Sequence, residues 1–86
     1  MILKTTPYFV KILSKKIKRN PLLRNKIDKQ INLLIKDYHH PSLKTHKLSG
    51  SRNDQHSIWI EGNIRITFKI VKNVIILVDL ITHDEY

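Results

Sequence analysis

The chain reads as an α+β domain with a short N-terminal strand, a helical hairpin and then an antiparallel sheet of about four strands. Three observations predict it. Between Pro7 and Lys36 apolar residues recur every three or four positions, the period of a helix with one buried stripe. From Ser57 onward they alternate with polar residues, the period of a strand with one buried face. Residues suited to turns and caps stand at the joints between these stretches.

In order, Met1–Thr5 is a short β-compatible segment. Thr6-Pro7 supplies an N-cap followed by a proline at the first helical position, where its missing N–H costs nothing. The first helix runs to about Arg19, with Phe9, Val10, Leu13 and Ile17 on one stripe and Lys11, Lys15 and Lys18 on the other. Asn20-Pro21 repeats the cap-and-proline start. The second helix extends to about Lys36 on Leu23, Ile27, Ile31, Leu34 and Ile35, and so short a connection predicts an antiparallel helix pair. Pro41 ends it, because proline disfavours helical geometry in the residue before it. Leu43–Leu48 reads as a strand and Ser49–Asp54 as a loop.

The stretch from Ser57 to Tyr86 reads as a three-stranded meander. Ile58/Ile60 and Ile64/Ile66/Phe68/Ile70 form the apolar face, and Gly62-Asn63 and Lys72-Asn73 form the turns. Trp59, Glu61, Arg65, Thr67 and Lys69 fall on the opposite, polar face. If the four apolar residues of the middle strand pack on the helices, Arg65 points away from the core, onto an open face.

Eighty-six residues make a single domain, 1–86, with one small core. The absence of cysteine excludes disulfides and thiolate metal sites. No apolar run approaches the roughly 20 residues that cross a bilayer, so a soluble cytoplasmic domain with no membrane partner is expected. The net charge of +9 is unevenly spread: residues 1–56 carry +10 and residues 57–86 carry −1. Such a basic half favours a polyanionic partner. His39-His40 lacks a third ligand at metal-binding spacing and fits a helix-end role better, so neither a metal nor a cofactor is expected.

Three stretches, His40–Gly50 (HPSLKTHKLSG), Ile58–Phe68 and Asp79–Tyr86 (DLITHDEY), together with the helical hairpin ahead of them, resemble the RelE/ParE superfamily of toxins from bacterial toxin–antitoxin pairs. The branch they are most similar to is that of the YafQ-like and RelE-like mRNA interferases. Ile81 stands where that branch has glycine, and one residue fewer separates Glu85 from Tyr86. A β-branched residue at position 81 resists the bend that glycine permits.

The resemblance implies ribosome-dependent cleavage of mRNA by attack of a ribose 2′-OH on the adjacent phosphate, with an antitoxin, the ribosome and mRNA as partners. Such chemistry needs a base, a cation and an acid. Arg65 matches the family's phosphate ligand, and a guanidinium can grip a phosphate through two parallel N–H bonds. Pairing with Glu61 or Asp79 across the sheet is the structural alternative for Arg65. His83 matches the family histidine and is the candidate general acid. His46 or Glu61 is the candidate second proton carrier, and Tyr86 a stacking or phosphate-orienting residue. His46 and Lys47 are strand neighbours that face opposite ways, so only one can reach the active face. Lys11, Lys15, Lys18, Lys44, Lys47, Arg52 and Lys69 would contact RNA or the ribosome, the helix lysines through salt-dependent attraction. The shared superfamily keeps two alternatives open, a ParE-like inhibitor of DNA gyrase and an inactive, antitoxin-binding relative.

Overall fold

In the computed structural model, which describes residues 1–82, Thr6 opens the first helix as its sequence demands. Its Oγ1 accepts a hydrogen bond from the Phe9 amide at 3.1 Å, and Pro7 occupies the first turn. The elements are β1 (Ile2–Thr5), α1 (Pro7–Arg19), α2 (Leu23–Lys36), β2 (His46–Lys47), β3 (His56–Glu61), β4 (Ile64–Val71) and β5 (Val74–Thr82). Single 3₁₀ turns lie at Pro41–Leu43 and Gly50–Arg52.

Two local expectations are corrected. Asn20-Pro21 does not cap α2. The helix begins at Leu23 with no side-chain cap, and Asn20 instead accepts the Leu23 amide through its backbone carbonyl. The strand expected over Leu43–Leu48 shrinks to His46–Lys47, because Pro41 opens a 3₁₀ turn that ends in Lys44 at φ 48°, ψ 46°. Left-handed backbone breaks a strand, and a lysine held there stores about 1 kcal/mol of strain.

The sheet has five strands in the order β1-β5-β4-β3-β2. It is mixed: β1 runs parallel to β5, Ile2 opposite Val74, and the other pairs are antiparallel. The β4–β5 turn takes its positive φ at Lys72 (55°), and Asn73 does not share it. Both helices cover one face, α1 chiefly over β5 and α2 over β3. The core between the layers is made by Phe9, Leu23, Ile27 and Leu34 of the helices, Leu43, and Ile58, Ile66, Phe68, Ile75 and Leu77 of the sheet. The apolar alternation of β4 thus faces the helices, as its period predicts.

Two β-bulges set which residues reach the other face. In β5, Thr67 lies opposite Asp79 while Phe68 lies opposite Leu77, so Val78 is the extra residue. An inserted residue reverses the facing of everything after it. Without it, Asp79 would share the apolar face of Ile75 and Leu77. In β3, the register shifts between Trp59 and Glu61. Trp59 stays beside Arg65, whereas Glu61 turns to the helix side and meets Lys26 of α2, Nζ to Oε1 at 2.7 Å.

Gln30, in mid-α2, is nearly buried and was not singled out by the helical pattern. Its Nε2 donates to the Trp59 carbonyl at 2.8 Å and to the Ser42 carbonyl at 3.2 Å, tying the helix to the β3 bulge and to the 41–43 turn. Replacing Gln30 with Ala removes both bonds and leaves two carbonyls short of a donor. A loss of about 1–3 kcal/mol in urea denaturation is expected.

His56 stacks on Phe68 with ring centroids 5.5 Å apart, and its buried Nδ1 has no partner among the described residues. Burial, helped by the positive charges of Lys47 and His39, holds its pKa below the ordinary value of 6.5. The unfolded chain therefore takes up a proton here before the folded one does. The stabilising effect of the neutral ring is complete above the unfolded pKa and shrinks as pH falls toward the lower folded pKa. His56→Phe should flatten that dependence. The wild-type melting temperature should fall more than the variant's between about pH 7.5 and pH 5.

Candidate active site around Arg65

Arg65 lies on the face away from the helices, as the alternation predicts, but it is not exposed: only 6% of its surface is accessible. The face expected to be open is closed over by the segment that follows α2. The Lys44 carbonyl accepts from Arg65 Nη2 at 2.6 Å, Ser57 Oγ accepts from Nε at 3.0 Å, and His46 Nδ1 lies 3.2 Å from Nη2. Farther along, Arg52 Nη2 donates to Asp79 Oδ2 at 3.2 Å, and the Leu80 amide donates to Asp79 Oδ1 at 2.8 Å. These contacts pin residues 44–52 across β3, β4 and β5. Neither Glu61 nor Asp79 pairs with Arg65, since each has a different cation: Lys26 for Glu61 and Arg52 for Asp79.

Arg65 therefore carries a nearly buried positive charge held only by neutral acceptors among the described residues. Its Nη1 makes no hydrogen bond among them. A buried guanidinium held by neutral acceptors alone favours an anion beside it.

His46 projects with Ser57 and Arg65, and its neighbour Lys47 projects to the side of His56, as two adjacent strand residues must. His46 Nδ1 has a partner in either neutral tautomer. It can accept from Arg65 Nη2 at 3.2 Å, leaving the proton on Nε2. It can also donate to the Lys44 carbonyl at 3.3 Å, leaving a lone pair on Nε2. The exposed imidazole is thus held by one nitrogen while the other can give or take a proton. A shallow pocket of about 160 Å³ opens beside it, lined by His46, Lys47, Leu48, Ser49 and Arg52.

Other candidates are placed elsewhere. Lys69 pairs with Asp54 at 3.0 Å, and that hydrogen bond holds the Asp54 carboxyl below its ordinary pKa. Lys11, Lys15 and Lys18 are exposed on α1, in the layer on the other side of the sheet from Arg65. The larger surface grooves, near 480 and 510 Å³, lie along α1 and between the helices, and Lys18 borders both. His40 caps the 41–43 turn, with Nδ1 accepting from the Ser42 amide at 3.2 Å. His83 and Tyr86 lie outside the described residues. Ile81 continues β5 as a strand residue, buried and in register with Arg65, so no bend occurs at that position.

Sequence reasoning missed the groups that hold the arginine. Ser57 is one small polar residue in an alternating strand. Lys44 contributes a backbone carbonyl aimed by a left-handed conformation that neither Gly nor Asn announces.

No protein-family model and no curated protein sequence matches the chain. Solved structures do. YafQ from Escherichia coli superposes with a TM-score of 0.80 at 18% identity, covering 96% of this chain and 93% of that one. A YoeB/ParE toxin from Agrobacterium tumefaciens gives 0.81 at 15% identity, covering 96% and 99%. YoeB in the YoeB–YefM complex from Staphylococcus aureus gives 0.72 at 16%, covering 96% and 97%. The chain has the RelE/ParE toxin fold. At these identities the likeness lies in the RelE/ParE fold itself, and the chemistry of the site rests on this chain's own residues.

The Arg52–Asp79 pair holds the far end of the covering segment. Its carboxylate side is nearly buried and its guanidinium partly exposed, so Arg52→Ala should cost about 1–2 kcal/mol. Asp79→Asn should lose a similar amount, and the double variant clearly less than the sum. Urea denaturation of the three proteins checks this.

Proposed function

We propose that this chain is the toxin of a toxin–antitoxin pair and that it cleaves mRNA on the ribosome. The observation that carries the reading is Arg65, a buried guanidinium that no carboxylate among the described residues pairs with, beside an imidazole at 3.2 Å. Toxins of the same fold support it, among them YafQ in the DinJ–YafQ toxin–antitoxin complex, at a TM-score of 0.78 and 19% identity.

The reaction follows from these groups. Arg65 binds a non-bridging oxygen of the scissile phosphate and stabilises the charge that grows there as the 2′-oxygen attacks. His46, with Nδ1–H on the Lys44 carbonyl, takes the 2′-OH proton at Nε2. Its exposure and its place on Arg65's face of the sheet favour it over Glu61, which α2 holds on the other side. His83, the residue after β5, protonates the departing 5′-oxygen. A 2′,3′-cyclic phosphate and a free 5′-hydroxyl result. The +9 charge draws the protein to ribosomal RNA and, equally, to an acidic antitoxin that would silence it.

Purified programmed ribosomes provide the test. Wild type should cleave bound mRNA, and His83→Ala should lose about 100-fold or more in rate. Arg65→Lys, which keeps the charge but not the planar fork, should lose a similar factor. Circular dichroism melts of each variant separate lost chemistry from lost fold. Intact mRNA with DNA gyrase trapped on DNA would replace this reading with gyrase inhibition. Intact mRNA with antitoxin binding retained would make the chain an inactive relative.

A further inference from the structure

We propose that Trp59 is a base-stacking platform, and that it holds the nucleobase next to the phosphate bound by Arg65. The inference rests on the nuclease reading and adds a recognition element to it. Trp59 and Arg65 are directly opposed in the β3–β4 register, so their side chains leave the same face of the sheet side by side. The distance between adjacent strands, about 4.8 Å, is comparable with the reach from a ribose phosphate to its own base.

The indole is fixed in place. Its Nε1 donates to the Gly62 carbonyl at 2.9 Å, and the backbone carbonyl of Trp59 is held by Gln30 at 2.8 Å. The side chain is only half-buried, so an indole costly to expose is kept at the surface. Over its ring, 4.6 Å from the centroid, sits the ammonium of Lys44. Lys44 is exposed, and no carboxylate among the described residues pairs with it. Its backbone carbonyl, on the same residue, is the acceptor that holds Arg65.

One residue thus links the anion site to the aromatic face. A cation on an exposed indole is readily exchanged for another π-face, because water compensates the displaced charge. An incoming base would take the ring, and the Lys44 ammonium would swing to the phosphate on either side of it. Single-stranded RNA is bound elsewhere by this combination of aromatic platforms and flanking cations. Stacking discriminates by π-area, so a purine should be preferred to a pyrimidine.

Trp59 is the only tryptophan in the chain, so its fluorescence reports the event directly. Short RNA oligonucleotides, uniform in purine or pyrimidine, and an abasic oligonucleotide with the same phosphates would be titrated into the full chain at low salt. Anisotropy of a labelled strand gives affinity independently of the indole. Purine RNA should quench Trp59 and bind roughly tenfold more tightly than the abasic strand. Trp59→Phe should keep most of that preference, and Trp59→Leu should reduce it to the abasic level.

If Trp59→Leu binds purine RNA as wild type does while Arg65→Gln weakens it, the platform is wrong and the phosphate site stands. If neither substitution matters, RNA binds elsewhere and both readings fall. Binding without any dependence on the bases, or no binding of the base-containing strands, also overturns the platform. Melting curves of Trp59→Leu and Trp59→Phe show whether the indole acts only as packing, in which case both variants lose stability without changing base preference.

Discussion

The bond from Arg65 to the carbonyl of Lys44 is the contact on which the arrangement of the sheet's Arg65 face depends. It joins the central strand to a segment with almost no secondary structure of its own, and at 2.6 Å it is the shortest of the arginine's contacts. A charge-assisted bond of this kind, shielded from water, is worth more than an exposed one. It also accounts for the left-handed lysine: the strain at φ 48° is the local cost of turning that carbonyl onto the guanidinium.

Two further constraints put the right groups near Arg65 and keep the wrong ones away. The bulge at Val78 sends Asp79 to the arginine's face, yet Arg52 occupies its carboxylate. The shift after Trp59 turns Glu61 toward Lys26. Glu61 and Asp79, the two carboxylates expected to pair with Arg65, are therefore engaged with other cations. The result, among the described residues, is a nearly buried positive group held by neutral acceptors alone.

The helix layer plays a different part. α1 and α2 supply the core that holds the sheet's shape, and their lysines face solvent on the side away from Arg65. The two faces therefore differ in chemistry: exposed lysines cover the helix side, and a nearly buried guanidinium lies beside a half-buried indole on the other. Gln30 is the exception. It reaches from the helix layer to the strand that carries Trp59, and so couples helix packing to the site.

The sequence by itself determined the element order and the buried faces, because hydrophobic periodicity is a local signal. Thr6-Pro7 started a helix, Ile64/Ile66/Phe68/Ile70 faced the core, and His46 and Lys47 pointed opposite ways. It also placed Arg65 on the face away from the helices. What only the tertiary structure decided was the surroundings of that arginine. Its burial, its bonds to Ser57, Lys44 and His46, and the removal of Glu61 all follow from bulges and a covering loop. Bulges shift register without leaving a mark in the alternation, and a backbone carbonyl has no residue identity to read. Contacts between residues 21 positions apart, as between Lys44 and Arg65, exist only once the chain has folded.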